Sequence, residues 1–90
     1  MKTAQEFREI AIKKMSTPDM VEAAKLIETL IFDAINKGKN YISLNTGYAT
    51  YRDLCDLTKG YDNLKTYLEL HGYTVSTNHF DSSSFFTVSF

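Results

Sequence analysis

Histidine and cysteine, two residue types that often perform acid–base or nucleophilic chemistry, are scarce in this sequence. There are two histidines, His71 and His79, and one cysteine, Cys55. His71 precedes a helix-ending glycine, where the helix dipole favours a positive charge, so we interpret it as structural rather than as a general base. His79 lies in a polar segment, which indicates a solvated side chain. Cys55 falls on the apolar face of a predicted helix, a position typical of a buried small side chain rather than of a catalytic thiol.

The acidic residues and glycines do not form a recognisable metal or phosphate site. Asp53 and Asp56 lie three residues apart on a predicted helix, a spacing more typical of a solvated face than of a metal site. The run Lys37-Gly38-Lys39 lacks the preceding strand, the glycine spacing and the following Ser or Thr of a P-loop. We therefore predict no cofactor, no metal and no enzymatic activity.

The loop from Asn45 to Arg52 is the most informative polar stretch. It follows a predicted strand and leads into a helix N-terminus, where free backbone N–H groups can hold an anion. Its tyrosines and its arginine are suited to stacking on a base or contacting a protein partner. The alternative is a polar turn whose tyrosines pack against the edge of the domain. The candidate ligand-binding or partner-binding residues are Asn45, Tyr48, Tyr51 and Arg52.

The composition is that of one small globular domain spanning residues 1–90. Hydrophobic residues make up 43% and charged residues 23%, which argues against disorder. The formal net charge of −1 argues against a strong general affinity for nucleic acid or anionic membranes, although it allows a local basic patch. A single cysteine rules out an intrachain disulfide. Residues 1–15 are too charged for a signal peptide and no apolar run could span a bilayer, so we expect a location in the cytoplasm and no membrane partner.

Two helices open the predicted fold. A capping box that starts at Thr3 opens a helix over residues 4–15. The stretch from Thr17 to Gly38 predicts one long helix, with a threonine N-cap at its start and a glycine at its end. The first helix could pack against the second as a helical hairpin. Alternatively, residues 1–16 could form an arm that docks on another copy of the chain.

The long helix carries more apolar surface than one buried face requires. Its expected core face consists of Val21, Ala24, Ile27, Ile31, Ala34 and Ile35. Three further apolar residues widen that surface, and the last strand adds an exposed phenylalanine. The candidate oligomer interface therefore consists of Leu26, Leu30, Phe32 and Phe85.

The remaining elements complete an α+β domain of order α-α-β-α(broken)-β-β, with a three-stranded, mainly antiparallel sheet packed on the helices. Gly60 either separates the third and fourth helices or kinks one longer helix. These elements are a strand over 41–44, a helix over 51–58 capped by Thr50, a helix from the capping Asp62 to His71, and strands over 73–77 and 85–90.

The last two strands are expected to form an antiparallel hairpin around a polar turn at 78–83. Phe86, Val88 and Phe90 are predicted to face the core. The phenylalanine-rich last strand is expected to leave one sheet edge free to pair with another chain.

From the long helix onward, the element order resembles that of a winged helix: helix, strand, two helices and a hairpin. The resemblance implies a recognition helix from Asp62 to His71 and a wing over residues 78–84. That helix offers only Lys65 among acidic residues, and the wing carries Asp81 and no lysine or arginine. DNA contacts need basic and base-reading side chains, which this surface hardly supplies. Winged helices also serve as protein-interaction modules, so the topology is compatible with a function other than DNA binding.

Four short runs resemble parts of small proteins from tailed bacteriophages, in which a helix ending in Gly-Lys precedes a strand, a helix ending in Gly-Tyr and a closing hairpin. The resemblance covers about residues 20–90 and implies a viral origin more than a function. The runs are AINKGK (34–39), YISL (41–44), LELHGYTV (68–75) and FTVSF (86–90).

Together these features favour a non-enzymatic, phage-type interaction protein that forms homo-oligomers and binds another protein. It would act in virion assembly or inhibit a host factor, which includes sequestering a nucleotide signal, and it would lie in the host cytoplasm or the virion. The alternative is a winged-helix DNA-binding transcriptional regulator, for which nucleic acid would be the partner.

Overall fold

The computed structural model describes residues 1–80 and 82–90. It confirms the α+β class and the order of elements, with four helices and one antiparallel sheet of strand order β1-β3-β2. The elements are α1 (Ala4–Met15), α2 (Pro18–Asn36), β1 (Tyr41–Asn45), α3 (Ala49–Thr58), α4 (Tyr61–Leu70), β2 (Thr74–Phe80) and β3 (Ser83–Ser89).

The first two helices begin at the predicted capping residues. Thr3 Oγ1 accepts the backbone N–H of Glu6 at 3.2 Å, and Thr17 Oγ1 accepts that of Met20 at 3.2 Å. Each bond satisfies a first-turn N–H that has no partner within its helix. Gly38 follows α2 with a φ of +75°, a left-handed conformation that glycine adopts without strain and that ends the helix.

The buried face of α2 is rotated from the predicted one. Val21 and Ile35 were predicted to be core residues, but their side chains are 38% and 52% exposed. At 100° per residue, these two positions lie roughly 80–120° around the helix from the buried Ile27. The prediction therefore merged the core face with a neighbouring flank. The residues that α2 buries are Met20, Ala23, Ile27, Ile31 and Ala34.

The sheet packs one face against the helices, and β3 lies in its middle. The main core cluster includes Phe86 and Val88 of β3, which are fully buried. The expectation that the last strand leaves a free edge is wrong, because β3 is paired on both sides and the edges belong to β1 and β2. Phe90, predicted to face the core, follows β3 and is 41% exposed.

The chain breaks completely between α3 and α4. Lys59 and Gly60 have φ values of +62° and +128°, which no continuous helix allows, so the kinked-helix alternative is wrong. Thr50 and Asp62, the predicted caps, lie within the first turns of the two helices. The residues at the N-cap positions are Tyr48 and Gly60, and neither helix has a side-chain capping bond.

The strands of the hairpin are longer than predicted. Asn78 and His79 were assigned to the polar turn at 78–83, but both pair with β3. The side chains add to this pairing, since His79 Nδ1 and Ser84 Oγ share a hydrogen bond of 2.6 Å. Asp81, the acidic residue of the predicted wing, lies outside the described residues.

Helix α1 packs chiefly against α4, rather than as a hairpin on α2. Arg8 shares a surface cavity with Glu69 near the end of α4, and Met15 shares another with Asn63 near its beginning. The two helices therefore run antiparallel. Where α1 ends, Ser16 Oγ lies 3.1 Å from a buried tyrosine hydroxyl on α4. No residue of α1 itself is buried.

Candidate functional site

The predicted binding loop lies beside a surface cavity of about 330 Å³, where β1 ends and α3 begins. Two of its predicted residues, Asn45 and Tyr48, line this cavity, and so does Phe85 from the predicted oligomer interface. Asn45 and Phe85 meet because they are partners in the β1–β3 ladder. The other lining residues are Ser43, Leu44 and Thr50.

Asn45 shapes the loop through its own side chain. Its Oδ1 accepts the backbone N–H of Gly47 at 2.9 Å, and its carbonyl oxygen accepts that of Tyr48 at 3.0 Å. This is the local turn that asparagine favours at the end of a strand. The turn leaves the Tyr48 side chain 69% exposed at the rim of the cavity. Tyr48 is therefore available for contact with a partner, whereas Asn45 has a structural role.

The N-terminus of α3 faces solvent without a side-chain cap or an acidic residue in its first turn. Its first bond within the helix runs from the Arg52 N–H to the Tyr48 carbonyl at 3.3 Å, so the three preceding N–H groups have no helical acceptor. The Arg52 side chain is exposed and does not line the cavity. A helix N-terminus is weakly electropositive, and the affinity of this one for an anion stays a prediction.

Tyr51 is turned away from the cavity and into the core. Its ring lies 5.4 Å from that of Phe86, between centroids. Burial raises the pKa of Tyr51 to about 12, with further contributions from a hydrogen bond to the Cys55 side chain and from Tyr61. The ring of Tyr51 is thus engaged in packing, and of the four predicted binding residues the cavity brings together only two.

The histidines and the cysteine each lie beside a packing or hydrogen-bonding neighbour within the chain. The His71 ring packs edge-on against Tyr67 with centroids 4.8 Å apart, and its side chain is exposed at the end of α4. His79 is exposed but bonded across the hairpin, and Cys55 is half-buried beside Tyr51. Within residues 1–80 and 82–90, no group of three or more His, Cys, Asp or Glu side chains could hold a metal ion.

The predicted oligomer-interface residues do not share one surface. Phe32 is 67% exposed on one flank of α2, whereas Leu26 lies about 120° around the helix on the other flank. Leu30 packs on the core from that second flank, beside β1, and Phe85 lies at the cavity described above. Val21 and Ile35, exposed on the Phe32 flank, were missed because their spacing also fits a core stripe. The signal that separates them is the charged Glu28, which lies seven residues from each and therefore on the same side of the helix.

The surface of α4 that would read DNA in a winged helix is acidic, and part of it already makes contacts within the chain. Its exposed side chains include Asp62 and Glu69. Asn63, whose side-chain amide is of the kind that can read a base edge, donates its side-chain N–H to the Thr58 carbonyl at 3.0 Å. Helix α1 also lies along α4, as described above.

No helix among the described residues has both the length and the apolar character needed to cross a bilayer. No protein-family model, no curated protein and no solved structure matches this chain.

Proposed function

We propose that this protein acts by binding protein surfaces, including its own, rather than by catalysis. The observation that carries the proposal is the second apolar surface of α2. After α2 has buried one face in the core, Phe32 remains 67% exposed and Ile35 52% exposed on an adjacent flank, where Val21 is 38% exposed. Grouped exposed apolar side chains mark association sites more often than isolated ones do.

The sheet supports the same proposal. None of the 19 residues in the three strands is Lys, Arg, Asp or Glu. The edge strand β2 has seven residues, no proline and an unbroken register with β3, so it lacks the charges, prolines and bulges that usually protect sheet edges. An unprotected edge favours pairing with another strand.

The more specific roles stay predictions: a phage-type protein of the virion or its assembly, or an inhibitor of a host factor. Each role would use an exposed surface of the kind described above. Sequestering a nucleotide signal would instead use the cavity at the end of β1, where the exposed Tyr48 could stack on a base.

The proposal is tested by the solution mass across a dilution series, measured by light scattering. We expect a mass of at least twice the 10.3 kDa of one chain at high concentration, falling on dilution. Phe32→Ser should shift this transition to higher protein concentration while the circular dichroism spectrum stays unchanged. A mass of 10.3 kDa at every concentration would contradict self-association.

The element order favours a second candidate, a winged-helix regulator that binds DNA. Fluorescence anisotropy with labelled duplex DNA at several salt concentrations separates the two candidates. A regulator would bind with an affinity that falls steeply as salt rises, because binding releases counterions. Since the α4 surface is acidic, we expect no salt-dependent binding at micromolar protein.

A further inference from the structure

We propose that two copies of the chain pair through one flank of α2, with their α2 helices antiparallel about a two-fold axis. This pairing rests on the self-association proposed above. We call this flank the outer stripe. It consists of Val21, Lys25, Glu28, Phe32 and Ile35.

The outer stripe is a continuous exposed surface. Its residues follow one another at steps of four, three, four and three, which places them within about 80° of one another around the helix. All five side chains are exposed, although the ends of the stripe are apolar. From Val21 to Ile35 the stripe is about 21 Å long at 1.5 Å per residue, enough for several turns of helix contact.

The order of side chains along the stripe is self-complementary under a two-fold axis. If the axis passes between residues 26 and 27, Val21 faces the partner's Phe32 and Lys25 faces the partner's Glu28. The same operation repeats both contacts with the copies exchanged, as an isologous interface requires. Ile35 then lies opposite the partner's Pro18, another exposed residue without charge. Every cation therefore meets an anion, and apolar residues meet at both ends.

The charges at the centre of the stripe are free to make these contacts. Within residues 1–80 and 82–90, the one ion pair joins Lys37 and Asp33, on the opposite flank of α2. Lys25 and Glu28 therefore have no intrachain ion pair among the described residues. This charge pattern favours a second copy as the occupant, because a chain with the same pattern supplies the opposite charge at each position.

A groove beside Val21 offers a place for the partner's Phe32. The groove has a volume of about 280 Å³ and lies between α2 and the end of α4. Its lining is mainly apolar, with Ala24 on the α2 side and Tyr67 and Tyr73 on the other. An aromatic ring inserted into such a groove is typical of the residues that dominate binding energy in protein interfaces.

Charge reversal tests the pairing. In Lys25→Glu, two like-charge contacts replace the two ion pairs, and in Glu28→Lys the same happens with the opposite sign. Each variant alone should self-associate roughly tenfold or more weakly than the native chain, by sedimentation velocity across a dilution series. An equimolar mixture of the two should regain the native affinity, because both heterodimer contacts are then attractive. The double variant K25E/E28K should regain it as well.

The control is Asp33→Lys, which makes the same charge reversal on the opposite flank of α2 and should leave association unchanged. Circular dichroism of every variant checks that folding is retained. If the native chain self-associates and the mixture of the two variants is no tighter than either alone, the outer stripe is wrong while self-association stands. If the native chain is monomeric at all concentrations, both proposals fail.

Discussion

The first two helices of the chain start in the same way and end in different environments. Thr3 caps α1 and Thr17 caps α2, with equal hydrogen-bond lengths of 3.2 Å. Yet α2 buries five residues, while α1 buries none and leaves Phe7 58% exposed. A capping signal therefore marks where a helix starts, but it does not say whether the helix belongs to the core.

What separates the two helices is the apolar surface that each presents. Helix α2 has buried side chains at five positions spaced three or four apart, so it can cover the sheet and α3. Helix α1 has apolar residues too, but it lies on the outside of α4, which already faces the core with its other side. We infer that α2 is integral to the folded unit and that α1 is an attachment to it.

The largest expected effect comes from truncating one apolar side chain in each helix. Ile27→Ala in α2 should lower the free energy of unfolding by about 2–5 kcal/mol, because it leaves a cavity at a residue only 1% exposed. Phe7→Ala in α1 should change it by less than about 0.5 kcal/mol, since that ring is mostly in water. Urea denaturation followed by circular dichroism measures both.

Equal losses for the two variants would mean that α1 is as much a part of the cooperative unit as α2. Ile10→Ala, at a residue 48% exposed, is the matched control within α1 and should behave like Phe7→Ala.

The fold was largely predictable because the strongest local signals agree with the tertiary structure. Helix starts at threonine, helix stops at glycine and strand alternation are short-range features, and they located α1, α2 and β1 closely. The position of β3 between β1 and β2 was not predictable in the same way, because strand order depends on how the whole sheet packs against the helices. For that reason the free edge was assigned to the wrong strand.

The candidate site was less predictable than the fold. Loop composition singled out Asn45, Tyr48, Tyr51 and Arg52, of which the first two line the cavity, but it could not say which tyrosine ring points inward. Tyr51 is one residue beyond Thr50 in the first turn of α3, so the direction of its side chain is set by the helix and by Phe86 beneath it. Burial of this kind depends on a strand more than 30 residues later in the chain.

High pH should destabilise the folded chain, because the partly buried Tyr51 then loses its proton. Burial raises the pKa of Tyr51 to about 12, above its ordinary value of 10.0. The contribution of the neutral Tyr51 side chain to the free energy of unfolding is therefore complete below pH 10 and is lost as the pH rises through 12. Between pH 8 and pH 11, the free energy of unfolding of the native chain should fall by about 1 kcal/mol more than that of Tyr51→Phe. Urea unfolding at pH 8 and pH 11 measures the difference.

Tyr48→Phe is the control, because the Tyr48 side chain is 69% exposed and the same hydroxyl is removed. The native chain and this variant should lose the same stability between the two pH values. If Tyr51→Phe also loses as much as the native chain, Tyr51 does not carry the alkaline sensitivity.

The smallest expected effect comes from removing the N-cap side chain of each of these two helices. Thr3→Ala and Thr17→Ala each remove one side-chain acceptor, at a local cost of about 1 kcal/mol. In α2 this cost should appear in the global free energy of unfolding, because the helix cannot fray without exposing core residues such as Met20, which is 6% exposed. In α1 it should appear only as faster hydrogen exchange of the α1 amides, with the urea midpoint unchanged. A midpoint that falls equally in both variants would show that α1 unfolds together with the core, and the distinction between attachment and integral helix would then be wrong.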